Sequence, residues 1–295
     1  MSCFGHELAF HSAAIQIKSL TCTSPRDLRG FVHEYEASRM SLVRSGAFAR
    51  VINGALQLAD STQVLFVNRG DVHRFLHPIQ GGDLCTVLEP SPATLSELHW
   101  HFAGRTSRFP IHQGPSHSVA RAHDALLHLL VMRDGGDLGI EEAALDLCRR
   151  LFALAYACRS SYRTGRRRMT ERRQHRLAYD LGVILNREFR RPPTLSELAH
   201  RVGCSAFHLS RVFRAHAGIS LRAYVRQRKA WEGARRIKQG ETDFASLALD
   251  LGFCDHSHFT NAFTAFWGMT PSGFRRRWGV AKRAISSKRR HALEL

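Results

Sequence analysis

Residues 194–213 read TLSELAHRVGCSAFHLSRVF, and residues 243–263 read DFASLALDLGFCDHSHFTNAF. These two stretches decide the C-terminal fold, because they are one pattern written twice. Leu195, Leu198, Ala199, Val202 and Gly203 recur 49 residues later as Phe244, Leu247, Ala248, Leu251 and Gly252. Ser205, His208, Phe213 and Gly218 recur 50 residues later as Asp255, His258, Phe263 and Gly268. The extra residue falls next to the glycine, where a turn absorbs it. Two copies are too few for a stacked solenoid, so the repeat reads as two copies of one small binding unit.

Each copy carries its own start and stop signals. Pro192-Pro193 halts the preceding helix, and Thr194 with Glu197 forms a capping box that opens the next. Leu195, Leu198, Ala199 and Val202 give that helix one apolar face. Gly203 ends it in the left-handed conformation that glycine tolerates. Ser205 then caps a second helix with Leu209, Val212 and Phe213 inward. Helix, glycine turn and capped second helix make a helix-turn-helix. The second copy runs from Phe244 to Leu251, turns at Gly252, caps at Asp255 and faces Phe259, Ala262, Phe263 and Phe266 inward.

The outward faces of the second helices are the candidate base-reading surfaces. In the first copy they carry Ala206, Phe207, Ser210, Arg211 and Arg214; in the second, His256, Ser257, Thr260, Asn261 and Thr264. Arg211 suits guanine, Asn261 adenine, and Phe207 a thymine methyl. Between the copies, Leu221 to Gln239 reads as one helix of about 28 Å at 1.5 Å per residue. That is near the roughly 34 Å separating successive major grooves on one face of DNA. Arg226, Arg228, Lys229, Arg235 and Arg236 do not share a face of it, so some are expected to reach phosphate and others to pair internally or stay solvated.

The charge distribution agrees. Residues 1–160 hold 15 Lys and Arg against 15 Asp and Glu, and residues 161–295 hold 28 against 10, so the net +18 lies wholly in the second part. Such an excess calls for a polyanionic partner, and double-stranded nucleic acid is the natural one. An anionic membrane surface is the alternative. No apolar run approaches the roughly 18 residues of a membrane helix, and Met1 to Phe10 does not read as a secretory signal. A cytoplasmic location is expected. The seven cysteines are scattered with no CxxC pair; neither a disulfide framework nor a structural zinc site is expected from such spacing.

Upstream, residues 10–90 read as β structure. Ala14–Ile17, Gly30–Val32, Phe48–Ile52, Val64–Val67 and Leu84–Leu88 are short apolar runs between turn signals, with hairpin turns at Asn53-Gly54 and Gly81-Gly82. Residues 117–158 switch to helical period, with Val119, Ala122, Leu126, Leu129 and Leu130 on one face and Ile140, Ala144, Leu147, Leu151 and Leu154 on another. Those helices would pack on the β layer, on a second copy in a homodimer, or on both. The expected domains are therefore a β-rich sensing or dimerisation unit over 1–158, a basic linker over 159–170, an all-α DNA-binding unit over 171–280, and a disordered basic tail over 281–295.

The repeat also carries a resemblance. Gly252-Phe253, Asp255-His256-Ser257-His258-Phe259, Phe263, Gly268, Thr270-Pro271 and Phe274-Arg275, with Leu198-Ala199, His208 to Phe213 and Gly218, resemble the AraC/XylS family of bacterial transcription regulators over about 100 residues. By resemblance, positions 207, 210, 211, 256, 257, 260 and 261 touch bases, although family members often have Arg where this chain has Asn261. The resemblance implies an N-terminal cupin-like barrel with following helices (α+β), an all-α C-terminal domain, a small-molecule effector, RNA polymerase as partner, and activation as the direction of control. Asn68-Arg69-Gly70-Asp71-Val72-His73 partly resembles the later cupin motif, but an earlier His-x-His is represented only by His33-Glu34-Tyr35. Neither a metal nor another cofactor is expected, and His73 and His77 read as barrel-wall histidines. A non-enzymatic, sequence-specific regulator is the leading reading. A cupin-type metal enzyme with a DNA-targeting domain and a non-specific architectural DNA binder are the alternatives. No effector site is identifiable at this level.

Overall fold

One long strand organises the N-terminal half. Strands β1 (Phe4–His11), β2 (Ile15–Cys22), β3 (Asp27–Glu34) and β4 (Arg39–Ile52) are followed by β5 (Ala55–Asp60), β6 (Gln63–Val67), β7 (Val72–His77), β8 (Asp83–Pro90) and the short β9 (Gln113–Pro115). The first part of β4 pairs with β8 and β6 in one sheet; its second part pairs with β5 and β7 in another. A register shift between Val43 and Ser45 marks the crossing. Gly46 follows at φ 75°, where a Cβ would stand 2.0 Å from the Gly82 carbonyl oxygen. A bulge plus a glycine lets one strand bend and serve two sheets. The first sheet runs β1-β2-β8-β4-β6-β9 and the second joins β3, β7, β4 and β5. The ladder does not close on itself, so the expected barrel is an open, two-sheet arrangement.

This computed structural model describes residues 4–286 apart from 24–25, 53, 105–107, 134–135 and 158–167. The five expected strand runs fall in β2, β3, β4, β6 and β8. Gly54 has positive φ in the β4–β5 hairpin, and Asn53 lies outside the described residues; Gly81 and Gly82 also have positive φ, but β7 and β8 pair in different sheets, so the expected hairpin there is a crossover between sheets.

Three helices follow: α1 (Pro92–Ala103), α2 (Ala120–Met132) and α3 (Gly136–Ala157). Val119 and Leu126 join Ile140, Leu147, Leu151 and Phe152 against Ile17, Met40 and Phe66 of the first sheet. The other face of α2, with Ala120, Leu127 and Val131, is buried against Ala230, Trp231, Ala234 and Trp278 of the C-terminal half. The expected stripe on this helix is therefore one of two, and the second is covered by the DNA-binding unit.

The C-terminal half is helical throughout: α4 (Arg168–Glu188), α5 (Leu195–Val202), α6 (Ala206–Ala217), α7 (Leu221–Gln239), α8 (Phe244–Asp250), α9 (His256–Trp267) and α10 (Pro271–Ser286). Most of the expected linker falls outside the described residues, and α4 begins at Arg168. The last helix continues to Ser286, past the expected start of a disordered tail at 281, because Ala281-Lys282-Arg283-Ala284-Ile285 are fair helix formers with no breaker among them. Residues 287–295 lie outside the described residues. Among those described, no helix is long and apolar enough to cross a membrane.

Candidate nucleic-acid interface and its coupling to the N-terminal half

Local chemistry positions both candidate reading helices. Thr194 Oγ1 accepts from the Glu197 amide while Glu197 Oε2 accepts from the Thr194 amide at 2.7 Å, completing the capping box. Those bonds to its ionised form hold the Glu197 carboxyl below its usual range. Gly203 is left-handed at φ 67°, and Ser205 caps α6 by accepting from the His208 amide. In the second unit Asp243 caps α8, Gly252 turns at φ 73°, and Asp255 accepts from the His258 amide at 2.7 Å to open α9. The inward residues Leu209, Val212, Phe213, Phe259 and Phe263 are buried, each worth about 1.5–3 kcal/mol for its removal from water.

Outward, Phe207 is 79% exposed on the first turn of α6, an unusual place for a phenyl ring with no contact to fill. Arg211 and Arg214 are exposed beside it, with Ser210 half-buried. On α9, His256, Ser257 and Asn261 are exposed and Thr260 is half-buried. Thus all eight candidate residues lie at or near the free faces of α6 and α9.

The connecting helix sorts its cations. Arg228 is buried and donates to Ser61 Oγ at 2.5 Å; Lys229 donates to the Gly252 carbonyl at 2.7 Å. Arg235 pairs with Glu232, and Arg236 with Asp250 and Glu241. These four are structural. Among the described residues, Arg211, Arg214, Arg222 and Arg226 are exposed and enter no ion pair. Unpaired guanidinium groups beside α6 form a surface suited to phosphate and base edges. The α9 face has no Lys or Arg.

Behind this surface the two halves are locked by buried polar contacts. The β5–β6 turn inserts Asp60 between α4 and α7, where Oδ2 accepts from Asn186 Nδ2 at 2.6 Å and from the Tyr224 hydroxyl. Its Oδ1 accepts from the amide and hydroxyl of Thr62. Burial and the adjacent carboxylate push the Tyr224 phenol well above its ordinary range, so it stays a donor. Lys238 of α7 meets Asp124 of α2 at 2.9 Å, both buried. Arg187 of α4 donates to the Pro78 carbonyl at 2.8 Å. No sequence periodicity marks these contacts, since they join residues more than 100 positions apart.

Beside the Asp60 turn lies a cleft of about 160 Å³, lined by Asp60, His112, His175, Tyr179, His216 and Tyr224 among others. The His175 and His216 rings lie 4.3 Å apart. Burial, with the neighbouring His175, drives His216 down to about 4. The cupin-like segment places Asp71 near His73 and His112, with Nε2 and Nδ1 at 3.9 and 3.8 Å from its Oδ2. Arg108 already pairs with that carboxylate at 2.6 Å. Burial, reinforced by the Arg50 charge, holds His73 at about 3. His77 departs from this group: its Nε2 lies between Cys22 Sγ and Asp83 Oδ1. Both expected wall histidines are buried.

The profile of a helix-turn-helix domain family matches residues 198–277. Over 81 residues the chain is 32% identical to the probable transcription factor PqrA of Proteus vulgaris, covering 28% of this chain and 66% of that protein. Over 84 residues it is 32% identical to the multiple antibiotic resistance protein MarA of Escherichia coli K12, again covering 28% of this chain and 66% of the relative. In both, the matched part is just under two thirds of the relative's own length. The structure of ToxT from Vibrio cholerae aligns over 90% of this chain and 98% of that one at 11% identity, with a TM-score of 0.37, too loose a likeness to argue from. The matched helices are the two repeated units with their connecting helix, so residues 198–277 form an AraC-type helix-turn-helix domain similar to those of these transcription regulators.

Proposed function

We propose that this protein is a sequence-specific DNA-binding transcription regulator, acting as an activator, whose β-rich, cupin-like half senses a small molecule. The carrying observation is the pair of capped helices α6 and α9, each with a free polar face and held apart by the single helix α7. In this reading Arg211 forks onto guanine, Asn261 onto adenine, and Phe207 presses on a thymine methyl, with Ser210, Arg214, His256, Ser257 and Thr260 as further contacts. Arg222 and Arg226 hold phosphate. The first unit anchors; the second adds context dependence because its face lacks a cation.

Sensing follows from the domain contacts. A ligand in the cleft beside Asp60 touches both halves, so it shifts the balance between docked and undocked DNA-binding units if it prefers one of them. The cleft's size suits a molecule of about ten heavy atoms or fewer, comparable to a cavity that admits benzene. Fluorescence anisotropy of the full chain on its own upstream DNA tests the reading. Arg211→Ala should weaken binding about tenfold or more while unrelated DNA competes poorly. Equal competition by unrelated DNA would favour a purely architectural binder.

A further inference from the structure

Four strand-borne residues far apart in the chain converge at one end of the two sheets. Cys22 ends β2 and sits directly opposite Asp83, the first residue of β8. Cys85 follows two positions later, on the same face of that strand. His77 ends β7 in the other sheet, and the Gly81-Gly82 turn returns the chain to Asp83. Cys22, His77 and Asp83 are 2%, 2% and 6% exposed and Cys85 3%, so all four side chains are inside the fold.

Their donor atoms fit a metal ion. Cys22 Sγ lies 3.3 Å from His77 Nε2, which lies 3.2 Å from Asp83 Oδ1. All three atoms fall within 4.8 Å of one another. Zinc bonds of about 2.0–2.3 Å in a tetrahedron put neighbouring donors roughly 3.3–3.7 Å apart. Cys85 Sγ, 3.6 Å from Asp83 Oδ2, donates to that carboxylate from outside the three-donor group, so the fourth tetrahedral position is left to an exogenous ligand. We propose that Cys22, His77 and Asp83 bind one divalent transition-metal ion of the zinc class, with Cys85 holding the Asp83 carboxylate beside it. Thiolate, imidazole and carboxylate are the donors such an ion selects.

The surroundings support that choice. Asp83 is a buried carboxylate whose two oxygens meet an imidazole and a weakly donating thiol, poor compensation for a buried charge. A dication with the Cys22 thiolate and the Asp83 carboxylate is charge-neutral, and the half-buried Arg44 guanidinium is near enough to act on the adjacent Cys85. Binding releases the Cys22 thiol proton and leaves His77 Nε2 unprotonated to coordinate. The backbone is fixed by close approach: a Cβ on Gly82 would stand 2.0 Å from the Cys22 carbonyl oxygen. The other histidine-carboxylate group, Asp71–His73–His112, is less suited, because Arg108 and Arg50 already supply its positive charge. The ion would also reach the DNA-binding half, since Pro78, next to His77, accepts from Arg187 of α4.

The test uses the full chain, stripped with chelator, loaded with zinc, desalted and assayed by elemental analysis. One equivalent is expected, and cobalt in its place should give thiolate charge-transfer absorption with tetrahedral ligand-field bands. The double variant Cys22→Ser/His77→Ala should bind at least tenfold more weakly, and His73→Ala should bind as the parent does. Substoichiometric metal, cobalt without thiolate absorption, or retention by the double variant with loss in His73→Ala would overturn the assignment. Because the double variant alters a buried site, alkylation of the unaltered chain in sub-denaturing urea is read by peptide mass spectrometry. Zinc should slow labelling of Cys22 at least tenfold while Cys204 and Cys254 label as before; equal Cys22 rates with and without zinc contradict it.

Discussion

Replacing Asp60 by alanine removes the acceptor that ties the two halves together. Asp60 is 1% exposed and accepts four hydrogen bonds, two from Thr62 and two from across the domain contact. In Asp60→Ala, Asn186 keeps its bond to the Gly182 carbonyl at 3.2 Å. The Tyr224 proton and the Thr62 donors lose theirs. A buried donor left unmet costs about 1–3 kcal/mol, more when its partner was charged. The sum is about 3–5 kcal/mol, in line with breaking one side of a buried charged contact, and a large part of a typical 5–15 kcal/mol total. Urea unfolding followed by tryptophan fluorescence reports it, because Trp231, Trp267 and Trp278 all lie buried in the C-terminal half. Tyr224→Phe, which removes one donor and leaves the carboxylate, should lose about 1 kcal/mol. A loss below about 1 kcal/mol for Asp60→Ala, or a larger one for Tyr224→Phe, would refute the reasoning.

Three further outcomes follow from the same contacts. His123 and His216 are neutral in the fold, held below the ordinary histidine value by burial. The unfolded chain, with histidines near 6.5, binds more protons below that pH, so stability should be full above about 6.5 and fall toward pH 4; a urea midpoint unchanged between pH 7.5 and 5 would count against it. Gly203→Ala meets open space and should cost only the left-handed backbone strain, about 1 kcal/mol. Gly252→Ala would put a Cβ 1.7 Å from the Arg190 carbonyl oxygen and should cost about 3 kcal/mol or more, read for both variants by urea unfolding. Arg211→Ala should reduce DNA affinity more than Asn261→Ala, by a difference of about 1 kcal/mol or more in paired titrations; comparable losses would contradict the asymmetry between the units.

The C-terminal half was legible almost residue by residue because its signals are local. Capping boxes, glycine turns and apolar spacing act within a few residues, and Thr194, Gly203, Ser205 and Asp255 all perform the expected tasks. The N-terminal half was legible in its apolar strands and in the helical period of α2 and α3. Strand β7, Val72–His77, alternates poorly and hides two polar residues, His73 and His77, and α1 carries a weak apolar stripe, so neither stood out. Helix α2 was read as having one apolar face because its second, Ala120, Leu127 and Val131, is defined only by the distant α7 and α10. Spacing along the chain likewise does not report that Cys22 stands across the sheet from Asp83.

The central claim is that α6 and α9 read adjacent major grooves as one device. Selection of binding sites by the full chain from a random double-stranded DNA pool tests it directly. The account predicts enrichment of a bipartite motif whose two half-sites lie about 10–10.5 base pairs apart centre to centre, with the stronger half lost in Arg211→Ala. A pool that enriches no motif, or a single half-site unaffected by changes on α9, would contradict it.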